Sequence, residues 1–112
     1  MITEWIKAFR SAWLGKDIDA VMELFAHDVE YWETPFQKIA RGDLPDAWSA
    51  ILTQENINLS IEPLVSRDGQ HVVRWGLTYD RGDDASSWAG LYVLRLNDDG
   101  KCEYFYQVGE KA

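Results

Sequence analysis

The sequence predicts an α+β fold, with three helices in the N-terminal half packed on one face of a curved, mixed, mostly antiparallel sheet. Three observations carry that expectation. Apolar residues recur at helical spacing through the first half of the chain. The second half is strand-like throughout, and Asp68-Gly69 and Asp99-Gly100 mark hairpin turns. Gly76 and Gly90 fall inside predicted strands, where glycine often marks a bulge or bend, so the sheet should curl around the helices.

Taken in order, Thr3 to Leu14 should form the first helix, with Trp5, Phe9, Ala12 and Trp13 as its buried stripe. Thr3 is its expected N-cap, and Gly15 stands where a terminating glycine would. Asp17 should cap a second helix whose stripe is Ile18, Val21, Met22 and Phe25. The pattern breaks at His27-Asp28, which places His27 at a helix end. Val29 to Thr34 is β-branched and aromatic, as a strand requires, and Pro35 ends it. Residues 35 to 42 read as irregular. A third helix should start near Asp43, tolerate Pro45 in its first turn, and bury Leu44, Trp48, Ile51 and Leu52.

Ile57, Leu59 and Ile61 alternate with Asn58, Ser60 and Glu62, and Pro63 should end or bend that strand. A strand from His71 to Asp80 follows. Arg81 to Ser87 reads as a polar loop, so Arg81-Gly82-Asp83 is a turn rather than a recognition tripeptide. Trp88–Leu96 and Lys101–Val108 complete five strands.

At 112 residues the chain is expected to be one domain, residues 1–112. Nineteen acidic against 11 basic residues give a net charge of −8, and no basic cluster exists. A nucleic-acid backbone or an anionic membrane surface would repel such a chain. No run of about 18 apolar residues offers a membrane span. Met1-Ile2-Thr3-Glu4-Trp5 lacks the basic flank and apolar core of a signal peptide, and the lone Cys102 has no partner for an internal disulfide. A cytoplasmic location is therefore expected. His27 and His71 have no His or Cys neighbour at ligand spacing, so no metal and no cofactor are expected.

The segment Leu24-Phe25-Ala26-His27-Asp28-Val29-Glu30-Tyr31-Trp32-Glu33-Thr34-Pro35-Phe36, with Gly42, Trp48 and the tail from Tyr92 to Lys101, resembles the SnoaL-like branch of the NTF2-like superfamily. The resemblance implies a cone: a curled sheet wrapped on helices, with a pocket at its open end and a homodimer built on the sheet's outer face. Tyr104 and Tyr106 should then lie at or near that interface. In the superfamily's steroid isomerases, the general base precedes the Pro-Phe after the first strand, where this chain has Thr34. An oxyanion donor precedes a segment like Val93-Leu94-Arg95-Leu96, which puts Tyr92 in that role. Glu33 is the carboxylate nearest the lost base. If Thr34 faces the cone, strand alternation turns Glu33 outward.

The candidate catalytic residues are therefore Tyr92 and Glu33. Trp13, Trp32, Thr34, Trp48, Trp75, Phe105 and Gln107 are the candidate ligand-binding residues. Such a pocket suits a small, mainly apolar or aromatic molecule. Two functional classes remain open: a cofactor-independent isomerase, cyclase or hydrolase, and a noncatalytic dimeric module whose cone is filled by its own side chains.

Overall fold

The computed structural model describes the whole chain, Met1 to Ala112. Helices α1 (Ile2–Leu14), α2 (Ile18–Met22) and α3 (Leu44–Trp48) pack on a six-stranded sheet. The strands are β1 (Phe25–Thr34), β2 (Gln37–Ile39), β3 (Glu55–Arg67), β4 (Gln70–Arg81), β5 (Asp84–Leu96) and β6 (Cys102–Lys111), in the order β2-β1-β6-β5-β4-β3. Only the β1–β6 pair is parallel. It joins the first strand to the last and makes the sheet mixed. No helix is long and apolar enough to cross a membrane.

Helix α1 buries the predicted stripe of Trp5, Phe9, Ala12 and Trp13. It starts one residue before Thr3, with no side-chain cap on its first turn. Gly15 stays right-handed at φ −81°, and Lys16 takes the left-handed conformation instead, at φ 54°. The Asp17 cap is as expected, with its carboxylate accepting from the Ala20 amide at 3.0 Å. Helix α2 is shorter than expected. Phe25 and Ala26 already belong to β1, and His27 is an exposed strand residue rather than a helix end. The pairing of Phe25 with Cys102 on β6 overrides the helical spacing of this stretch.

Three further corrections concern strands and turns, while Pro63 takes the second of its two expected roles. Gln37–Ile39 is not irregular but a short strand hydrogen-bonded to β1, so the sheet has six strands rather than five. Around α3 the chain runs through 3-10 turns at Arg41–Asp43 and Ser49–Thr53, and Leu52 points to solvent. Pro63 bends β3 without ending it: register shifts between Pro63 and Val65, and the strand continues to Arg67. The expected loop at residues 81–87 is only a tight turn at Gly82-Asp83, because pairing between β4 and β5 is unbroken from Gln70↔Arg95 to Arg81↔Asp84.

Gly76 and Gly90 therefore mark no bulge. Gly90 is needed for close approach, since a Cβ there would collide with the Val108 carbonyl. Gly109 pairs with Gly90 across β5 and β6, and a Cβ on Gly109 would sit 2.6 Å from Cζ2 of Trp75. Gly109 thus leaves room for the Trp75 indole, and Gly90 for the backbone of the neighbouring strand.

Phe9 is the centre of the core. Its ring stacks on Trp5 at 4.8 Å and meets Trp13, Trp48, Phe25 and Tyr92 edge-on, at centroid distances of 5.4 to 6.4 Å. Such pairs add stability beyond their buried area. Tyr31 stacks on Phe105 at 4.8 Å, and Trp75 on Tyr92 at 5.4 Å. Together these stacks carry the core outward to the open end of the curled sheet.

Candidate functional site

A cavity of about 180 Å³ opens between α1, α3, the adjoining 3-10 turn and the inner face of the sheet. Its aromatic wall is Trp13, Trp48, Trp75 and Trp88 with Tyr31, Tyr79 and Tyr92. Glu33, Gln54 and Gln107 add polar groups, and Glu33 is the only charged residue in the lining. The volume slightly exceeds the ~150 Å³ of a cavity that holds benzene, and falls short of the ~300 Å³ at which drug-sized pockets begin. A ligand seated wholly inside is therefore about one ring in size.

The facing of β1 decides which polar groups reach the cavity. The resemblance turned Thr34 and Trp32 inward, but the strand does the opposite. Tyr31 stacks on Phe105 inside, and Glu33 follows it by alternation. Trp32 lies on the outer face, where its indole N–H donates to Glu30 at 2.8 Å and its ring contacts Tyr106. Thr34 is exposed at the end of the strand, and its Oγ1 accepts from the Phe36 amide at 3.1 Å, shaping the turn into β2. Phe105 lies fully buried beneath the cavity without lining it. Of the nine candidate residues, Tyr92, Glu33, Trp13, Trp48, Trp75 and Gln107 share the cavity, while Trp32, Thr34 and Phe105 do not.

The electrostatics follow from enclosure. Burial raises the pKa of the Glu33 carboxyl above the ordinary carboxylate value, and the neighbouring Tyr31 hydroxyl only partly opposes this. Burial likewise pushes the Tyr31 and Tyr92 phenols upward, and the Glu33 charge pushes them further. Both phenols therefore remain protonated donors near neutral pH. The Trp48 indole N–H lies beside the Tyr31 hydroxyl without completing a hydrogen bond, and the Trp75 indole N–H is also unpaired. Trp13 is satisfied: its N–H donates to Oε1 of Gln54 at 2.8 Å.

Tyr31, Tyr79 and Gln54 are the hydrogen-bonding residues of the lining that sequence reasoning missed. The strand's second face, Tyr31 with Glu33, was a signal for the first. Gln54 had no signal, because its place depends on how the chain leaves the 3-10 turn. His71 lies outside the cavity. It shares a 2.6 Å hydrogen bond with Ser66 Oγ, its partner across β3 and β4, and burial lowers its pKa. No three His, Cys, Asp or Glu side chains converge where they could hold a metal ion.

Residues 6–105 match the model of the SnoaL-like domain family. The chain belongs to that family. No curated protein sequence matches this SnoaL-like chain. Among solved structures, it is similar to an NTF2-like protein of unknown function from Exiguobacterium sp. 255-15, with TM-score 0.75 and 17% identity over 97% of each chain. It is similar to IdmH, a putative polyketide cyclase from Streptomyces antibioticus, with TM-score 0.80 and 12% identity over 96% of this chain and 91% of that one. It is also similar to an LEH-like epoxide hydrolase from M. tuberculosis, with TM-score 0.74 and 13% identity over 96% and 80%. At these identities the likeness establishes the fold, and one fold hosts many chemistries.

Proposed function

We propose that this SnoaL-like domain is a cofactor-independent enzyme of proton transfer on a small, mainly apolar carbonyl compound. Glu33 acts as general base, and the Tyr92 and Tyr31 hydroxyls act as donors to the developing oxyanion. One observation carries the reading: the cavity's lone carboxyl is enclosed by aromatic rings beside two phenols held in the protonated state. A carboxyl whose pKa is raised toward the working pH is a better base, and positioned proton transfer contributes about 10²–10⁴-fold. Donors placed in an enclosed site stabilise an enolate more than the same groups do in water. The chemistry is of the kind an isomerase or a cyclase needs. The open cavity supports this reading over a module whose cone is filled by its own side chains.

The test is exchange of the α-hydrogens of small cyclic and aryl ketones in deuterated buffer, followed by NMR. Wild-type protein should accelerate exchange for at least one member of the panel. Glu33→Gln should remove about 10²–10⁴ of that acceleration, and Tyr92→Phe a smaller part. Equal exchange by wild type and Glu33→Gln overturns the assignment.

The domain also pairs with a second copy through the outer face of its sheet. Leu91 and Val108, cross-strand partners on β5 and β6, are 38% and 39% exposed there, with Trp32, Tyr104 and Tyr106 alongside. Aromatic and aliphatic side chains grouped on one sheet face suit a protein interface.

A further inference from the structure

We propose that Gln54, held in one orientation by Trp13, is the cavity's specificity-determining residue, and that it selects a neutral ring compound bearing a carbonyl oxygen over an apolar or anionic molecule of the same size. The inference rests on the ligand-binding reading above and deepens it.

The argument begins with what an indole can do. Its nitrogen donates and never accepts, so the 2.8 Å contact between Trp13 and Gln54 fixes which end of the amide faces Trp13. Oε1 is held there. The NH₂ group, with two donors, is directed away, and no protein acceptor receives it. Gln54 is only 5% exposed, and the space it lines is the cavity. An acceptor oxygen entering the cavity can therefore take a hydrogen bond from this amide. The contact between Trp13 and Trp48, edge to face at 5.0 Å, keeps the Trp13 ring from swinging away. The amide is thus fixed by packing as well as by its bond.

The remaining lining sets the class of ligand. The Tyr31 and Tyr92 hydroxyls add donors, and Glu33 is the single charge. A donor-rich wall asks for acceptor oxygens. A carboxylate with no cation in the lining repels anions. Sites built to hydrogen-bond a ligand group reject the analogue that lacks it, because their own polar groups are then left unpaired.

The probes are acetophenone, ethylbenzene and benzoate, which share one ring and differ in acceptor and charge. Each is titrated into uniformly ¹⁵N-labelled protein at neutral pH. Acetophenone should shift the Gln54 side-chain amide signals and leave the Trp13 indole signal in its bonded position. It should bind roughly 3- to 10-fold more tightly than ethylbenzene, and benzoate should bind more weakly than either. Gln54→Met should keep ethylbenzene binding and lose the preference for the ketone. Trp13→Phe should lose part of that preference, because the amide is free to turn. Equal affinities for acetophenone and ethylbenzene, with an unmoved Gln54 amide, overturn the role of Gln54 and leave the cavity as a ligand site. Failure of all three probes to perturb any cavity resonance overturns both the role and the ligand-binding reading. The wild-type titration decides even if a variant does not fold.

Discussion

A carboxyl group enclosed by aromatic rings loses hydration that it keeps in the unfolded chain, and Glu33 is in that position. Its pKa is raised on folding, so the folded protein holds the proton more tightly than the unfolded chain does. The stability linked to this proton is fully present below the ordinary carboxylate pKa, and it is lost as pH rises through the folded value. Glu33→Gln carries no such titration. Near pH 4 the two proteins should be about equally stable with respect to this position. The variant should gain on wild type as pH rises toward 7, and denaturant midpoints across that range measure the difference. A constant offset between the two curves would mean that Glu33 is solvated. Phe25 and Trp5 give a second residue-scale expectation. Although Trp5 stands near the terminus, Trp5 and Phe25 are about equally buried and meet edge to face at 5.8 Å. The Trp5 N–H also donates to the Leu24 carbonyl at 3.0 Å. Both alanine variants should cost about 3–5 kcal/mol in chemical denaturation. Because the rings touch, the double variant should cost less than the sum.

At the scale of elements, Gly109 helps to shape the cavity wall through its contact with Trp75. The Trp75 indole occupies the space that a Gly109 side chain would need. Gly109→Ala should therefore push Trp75 toward the cavity and destabilise the fold by about 1–3 kcal/mol. A calorimetric scan and the loss of ketone binding would register the two effects. An unchanged melting temperature would show that the indole can move aside freely. Strand β1 shows how far such detail was legible in the sequence. Its β-branched and aromatic run identified a strand, and the helical stripe of α1 was readable from Trp5, Phe9 and Trp13. The facing of β1 was not. Tyr31-Trp32-Glu33-Thr34 places an aromatic and a polar residue on each face, so alternation offers no contrast, and a slip of one residue exchanges the two faces. The bulge between Trp32 and Thr34 adds a further irregularity. Gln37–Ile39 escaped notice because three residues are too few to show a period. Gln54 escaped because its contact with Trp13 spans 41 residues of sequence.

The whole molecule presents two unlike surfaces. The inner face of the sheet is closed by helices, and the outer face carries Leu91, Val108, Tyr104, Tyr106 and Trp32 with a bordering ion pair, Arg95 to Glu103 at 3.2 Å. Arg95 also lies over the Tyr104 ring at 5.7 Å, which orders this part of the face in the isolated chain. Pairing two copies across it brings together two chains of net charge −8 each. Apolar burial must therefore exceed a long-range repulsion, and added salt weakens that repulsion. Wild-type protein should sediment as a dimer at micromolar concentration, with a dissociation constant that falls as ionic strength rises. Leu91→Glu places a carboxylate where Leu91 and Val108 would meet the proposed partner, and it should yield a monomer. In that monomer the new side chain faces water, so the melting temperature of the fold itself should move little; exposed substitutions are usually within about 0.5 kcal/mol of neutral. Ketone binding should persist in the Leu91→Glu monomer, because Glu33, Gln54 and the aromatic wall all come from one chain. A wild-type monomer, or a Leu91→Glu dimer, would place the apolar outer face outside any self-association.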